Sequence, residues 1–136
     1  MRQVFDSFAG FDDFLVYLAV SLAFLAVFVA IYLRVTPYRE FALIREGNMA
    51  ASFSLSGAIL GFVVPLASAV QHSVSLVDMA IWGVVAMAVQ IAAFVVAKML
   101  IPSITVDIPA NKGAQGFFLG SLSLAVGLLN AACMSY

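Results

Sequence analysis

Four stretches of the chain carry no Asp, Glu, Lys or Arg: 14–33, 49–71, 79–97 and 113–136. Each reaches or approaches the about 20 residues that an α-helix needs to cross about 30 Å of hydrocarbon. None alternates apolar and polar positions with the period of a barrel strand. Backbone polar groups in lipid must be satisfied within the spanning segment, so helices are the form this pattern selects. The pattern predicts an all-α integral membrane protein with four transmembrane helices over about 14–33, 49–71, 79–100 and 113–134, forming a single membrane domain over residues 1–136.

The connections read differently from the spans. After the first span, Thr36-Pro37 disfavours continued helix, and Tyr38, Phe41, Ala42, Leu43 and Ile44 interleave with Arg39, Glu40, Arg45 and Glu46. That spacing predicts a short amphipathic helix at a membrane interface. After the third span, Pro102, Pro109 and the β-branched Ile104, Thr105 and Val106 predict an extended strap. The first span is too long, and too acidic in its flank at Asp6, Asp12 and Asp13, to read as a cleavable signal.

Composition strengthens the membrane reading. Of 136 residues 65% are hydrophobic and 10% are charged, where a soluble domain carries about a quarter charged residues. A formal net charge of -1 provides no basic stripe, which excludes nucleic acid as a partner. The cations are nonetheless unevenly placed. Arg34, Arg39 and Arg45 fall in the loop 34–48, and Lys98 and Lys112 in the loop 98–112. The positive-inside bias makes both loops cytoplasmic and predicts an N-out, C-out topology, with Arg2 the one cation arguing otherwise.

The two halves read as tandem two-helix repeats. Each runs span, basic connection, asparagine, small-residue span; superposing Asn48 on Asn111 brings Ala51 onto Ala114, Gly57 onto Gly120 and Ala69 onto Ala132. Units of two spans cross in the same direction, so they are expected to be related by an axis near the membrane normal.

Candidate functional residues gather at the start of the small-residue spans. In Arg45-Glu46-Gly47-Asn48, Asn48 is a good N-cap, and Gly47 frees the backbone before it. The same free N–H groups, with Arg45 beside them, could instead hold an anion or a lipid headgroup. Asn111 and Lys112 would be the counterpart in the second unit. Gly57 and Gly61, and Gly116 and Gly120 extended by Gly127, form small-residue faces that let helix backbones approach, within one bundle or between copies. Pro65 is expected to kink the second span. Gln90, Asn130 and Ser54 are polar groups at membrane depth, read as hydrogen-bonding between helices or as lining a pore. The lone Cys133 excludes an internal disulfide and reads as a small packing residue. His72 has no Cys, Asp or Glu at ligand spacing, so neither a metal nor another cofactor is expected. No nucleophile with a base in reach, phosphate loop or carboxylate pair is found, which argues against an enzyme. No Asp, Glu, Arg or His lies inside the four spans, which disfavours ion-coupled transport.

The run Leu43-Ile44-Arg45-Glu46-Gly47-Asn48-Met49-Ala50-Ala51, then Leu55-Ser56-Gly57, Leu60-Gly61-Phe62 and Pro65-Leu66-Ala67, resembles the YjfL-like family of bacterial inner-membrane proteins, a domain of unknown function. Ser73-Val74, Asp78, Trp82-Gly83, Gln90 and Gly127-Leu128-Leu129-Asn130-Ala131-Ala132-Cys133-Met134 extend the resemblance over nearly the whole chain. It implies a multi-pass protein of the bacterial inner membrane built from a two-helix repeat, and it implies no activity. The family's similarity to proteins encoded beside phage-shock-type membrane-remodelling proteins and a glutathionylspermidine-synthase-like ligase hints at envelope stress or polyamine chemistry. The resulting expectation is a homo-oligomeric, envelope-associated interaction platform that contacts membrane lipids and a cytoplasmic membrane-stress partner through Arg39 to Asn48. The alternative is an oligomeric channel for ions or polyamines along Gln90, Asn130 and the serines near Ser54.

Overall fold

The computed structural model describes residues 10–134, all of whose regular structure is helical. In chain order the helices are α1 (Phe11–Val35), α2 (Glu40–Arg45), α3 (Met49–His72), α4 (Leu76–Leu100), α5 (Ile104–Asp107) and α6 (Gly113–Cys133). The four long helices α1, α3, α4 and α6 are long and apolar enough to cross a membrane. Arg2 and Asp6 lie outside the described residues.

Helix ends extend past the charge-free stretches because charge suits helix termini. Asp12 and Asp13 sit in the first turn of α1 and Arg34 in its last; Asp78 opens α4 and Lys98 closes it. Acid at the N-terminus and base at the C-terminus each complement the helix dipole. Ser75 Oγ accepts the N–H of Asp78 at 3.1 Å, and the Asp78 carboxylate accepts that of Val74 at 3.1 Å. This reciprocal cap starts α4 earlier than its apolar run. Thr36, held extended at ψ 135 before Pro37, stops α1.

The second connection differs from the extended strap that its β-branched residues predict. It forms the short helix α5, bridged by Ser103 Oγ donating to Asp107 Oδ2 at 2.7 Å and anchored by the fully buried Ile104 and Ile108. The local preference of β-branched residues is weak, and burial of two isoleucines overrides it. Both connections then end in the same turn. Asn48 N–H donates to Leu43 and Gly47 N–H to Ile44, while Lys112 N–H donates to Asp107 and Asn111 N–H to Ile108. These are Schellman turns, whose left-handed residues are Gly47 at φ 85 and Asn111 at φ 59.

The closest packing joins α3 to α6. A Cβ added to Gly57 would strike the backbone of Gly120, one on Gly116 the backbone of Ala50, and one on Gly127 the carbonyl of Gly61. Helix α3 runs through Pro65. Proline has no N–H to give the carbonyl four residues before it, which is that of Gly61. The carbonyl freed by Pro65 is therefore the one on which Gly127 rests. Against this pair, α1 and α4 build an aromatic core: Phe28 stacks on Phe62 at 4.5 Å between ring centres, and Tyr32 meets Phe94 edge-on at 5.7 Å. Most large side chains of α1 stay on the outer surface, where lipid would cover them. Cys133 is exposed at the end of α6, outside the core packed within the chain.

Candidate functional site

The α1–α3 and α4–α6 connections meet at one end of the bundle, joined by two asparagines. Asn48 Oδ1 caps α3 by accepting the N–H of Ala51 at 2.8 Å, and its Nδ2 donates to the carbonyls of Ile108 and Pro109 at 3.1 and 3.2 Å. Asn111 Oδ1 accepts the N–H groups of Met49 and Ala50 at 2.9 and 3.2 Å. Three N–H groups of the first turn of α3 are thus spent on the protein's own oxygens. This corrects the reading of that turn as an anion or headgroup site, because the donors such a ligand needs are already engaged. It also corrects the pairing of Asn111 with Asn48. Asn111 occupies the left-handed position that Gly47 holds in the first connection, and the N-cap of α6 is Lys112, which makes no side-chain cap.

Around this clasp the cations point outward. Arg34, Arg39, Arg45 and Lys98 are exposed, as is Glu46. Lys112, also exposed, pairs with the buried Asp107 at 3.4 Å. Among the described residues no Lys or Arg lies at the opposite end, which presents Asp12, Asp13, His72 and Asp78.

The polar residues at membrane depth lie between helices. Gln90, 1% exposed, donates Nε2–H to the carbonyl of Ser123 at 2.7 Å, tying α4 to α6. The bond passes over Gly61, where a Cβ would strike Gln90 Nε2. Ser54 is fully buried and donates to the Ala51 carbonyl of its own helix at 3.1 Å. Asn130 is half-buried, with its Nδ2 enclosed and unbonded. Gly57, Gly61, Gly116, Gly120 and Gly127 are all buried inside one chain, so these faces are not free to pair copies.

The feature that reading along the chain misses is Glu40. It is 0% exposed, neither carboxylate oxygen has a hydrogen-bond partner, and the hydroxyls of Tyr32 and Tyr38 are likewise buried and unbonded. Burial, opposed weakly by the nearby Thr36 hydroxyl, raises the Glu40 carboxyl from 4.5 to about 7. The Thr36 hydroxyl itself donates to the Leu33 carbonyl at 3.4 Å. Burial also pushes the Tyr38 phenol up, helped by the charge of Glu40 and opposed by Ser54. A signal for this burial exists in the sequence: Glu40, Leu43 and Ile44 share one face of a 3.6-residue helix, and Arg45 lies on another.

The family model described as Domain of Unknown Function (DUF350) matches residues 6–134. The chain belongs to the DUF350 family. It is 36% identical over 134 residues to the UPF0719 inner membrane protein YjfL of Escherichia coli strain K12, covering 98% of this chain and 99% of that protein. The same figures hold for YjfL of Escherichia coli O157:H7. It is 29% identical over 122 residues to the UPF0719 transmembrane protein YshE of Bacillus subtilis, covering 85% of this chain and 88% of that one. No solved structure matches the chain. DUF350 membership and the four long apolar helices make it a multi-pass protein of the inner membrane.

Proposed function

We propose that the chain is a non-enzymatic interaction platform of the inner membrane, whose cation-bearing end faces the cytoplasm and holds an anionic surface through Arg39, Arg45 and Lys112. One observation carries this reading: the cations of the described residues are exposed and gathered at a single end of the bundle. Positive-inside bias orients such an end towards the cytoplasm. A Lys or Arg near an anionic leaflet contributes about 1 kcal/mol, and the attraction decays within a Debye length. The shared turn of the two connections supports a doubled two-helix unit. With the small-residue faces of α3 and α6 spent inside the chain, association of copies would use the outer faces of α1 and α4.

The test compares the protein with an Arg39→Gln, Arg45→Gln, Lys112→Gln triple variant in lipid nanodiscs, by native mass spectrometry of retained lipid and by salt titration. Retention of anionic lipid over zwitterionic lipid, weakened by salt and lost in the triple variant, supports the reading. Equal retention by both proteins defeats it.

A further inference from the structure

Glu40 is a carboxylic acid enclosed at the cation-bearing end, and nothing described so far uses it. Both its oxygens lack a donor, and the enclosed hydroxyls of Tyr32, from α1, and Tyr38, from the connection, lack partners too. No cation pairs with it: Arg34, Arg39 and Arg45 are exposed, and the one ion pair among the described residues joins Lys112 to Asp107. The other elements bring no counter-charge. The titratable group of α3 is His72, at the far end; α4 has Asp78, also at the far end, and the exposed Lys98; α5 has the paired Asp107; α6 offers only Cys133 at its far end.

A charge in such a place is unfavourable unless paired, and the usual outcome is that the group neutralises. Because side chains enclose the carboxyl fully, the ligand that reaches it without displacing them is a proton. A route to water lies beside it: a cleft of about 360 Å³ bordered by Glu40, Leu33, Tyr38, Arg39, Phe41 and Arg45.

We propose that Glu40 is a proton-binding switch: its neutral carboxyl keeps α2 docked against α1 and α3, and loss of the proton releases α2 together with Arg39 and Arg45. The elevated affinity of Glu40 for its proton, caused by burial, agrees with this geometry. It fixes the sign as well. An acid that holds its proton more tightly when docked favours docking below its ordinary value of 4.5, and that advantage is lost as pH rises through about 7. The clasp at Asn48 keeps the far end of the segment tied, so release is a local opening of α2. The proposal does not depend on the anionic-surface reading, since it needs no lipid and survives neutralising Arg39, Arg45 and Lys112.

The test is hydrogen–deuterium exchange of the full chain in zwitterionic nanodiscs from pH 5 to 8, corrected for intrinsic exchange and read at the amides of Leu43, Glu46 and Gly47. The opening equilibrium of α2 is expected to rise on the order of fiftyfold in the wild type, and to stay flat in Glu40→Gln, which mimics the protonated acid. A flat wild type, or a variant that tracks the wild type, overturns the proposal. A carbon-13 titration of the side-chain carboxyls, with Glu40→Gln as assignment, gives an independent reading. A midpoint near 7 supports the switch, and one in the ordinary glutamate range overturns it. Because zwitterionic lipid is used, failure here is distinct from failure of anionic-lipid binding.

Discussion

Asn111 Oδ1 stands over the first turn of α3 and takes the N–H groups of Met49 and Ala50, beside the Ala51 N–H taken by Asn48. Two asparagines from different connections therefore cap one helix, and the α1–α3 unit cannot open at that end without disturbing the α4–α6 unit. The backbone of Asn111 is left-handed, so its two jobs can be separated. Asn111→Gly keeps the turn and removes the two hydrogen bonds to Met49 and Ala50, and is expected to cost about 1 kcal/mol. Asn111→Ala also forces an alanine into the left-handed region and should cost about 1 kcal/mol more. Unfolding in mixed micelles checks the order; equal losses would mean the turn contributes nothing.

The glycine seam gives a sharper contrast. Gly57→Ala, Gly120→Ala and Gly127→Ala each place a methyl against backbone of the facing helix, which cannot rotate away as a side chain can. Forced separation of α3 and α6 is expected to cost about 1–3 kcal/mol or more at each site. Gly113→Ala, with nothing within 4 Å of its added Cβ, should be neutral or slightly stabilising. Thermal unfolding of the four variants in one detergent tests this. A Gly127→Ala protein as stable as Gly113→Ala would show that the helices part at that point without cost.

The long helices were legible because lipid imposes a simple rule: absence of charge over some twenty residues is enough, whatever the neighbours do. The caps were legible only in part. Asn48 matches a local pattern, whereas the job of Asn111 depends on which helix end lies beside it in space. The two asparagines hold different places in their turns, because the left-handed position is filled by Gly47 in one connection and by Asn111 in the other. Glu40 was hidden for a different reason. In a segment where Arg-Glu pairs flank an apolar run, a glutamate looks like part of the wet face. Only its helical phase with Leu43 and Ile44 betrays the buried side, and α2 is so short that docking decides the matter. The α5 helix was invisible in advance, since its stability comes from burying Ile104 and Ile108 and from the Ser103–Asp107 bond.

Gln90 makes one strong hydrogen bond and leaves Oε1 buried without a partner. Replacing it by an apolar residue of similar size removes the bond and the orphaned oxygen together, so Gln90→Met is expected to cost no more than about 1 kcal/mol. Gln90→Glu keeps the shape but replaces the donating amide, facing the Ser123 carbonyl with an oxygen. It should cost about 2 kcal/mol or more at neutral pH and recover as the carboxyl protonates. If Met proved as damaging as Glu, the amide would hold a network larger than the single contact with Ser123.

Glu40 is expected to make the stability of the bundle, as well as the docking of α2, depend on pH. Its carboxyl is raised from 4.5 to about 7 by burial, so the folded state binds a proton that the unfolded chain has already released at neutral pH. Stability from this group is complete below about 4.5, declines between about 4.5 and 7, and levels off above that range. The interval corresponds to roughly 3 kcal/mol between its two ends. Glu40→Gln removes the ionisation and keeps the shape, so the variant should lie within about 1 kcal/mol of the wild type at pH 5 and exceed it by about 3 kcal/mol at pH 8. Glu40→Ala leaves a void in place of the buried side chain, so it should be weaker than Glu40→Gln at both pH values. Denaturant unfolding at the two pH values separates these cases. A wild type whose stability changes from pH 5 to pH 8 by the same amount as that of Glu40→Gln would place the buried carboxyl outside the balance that holds the bundle together.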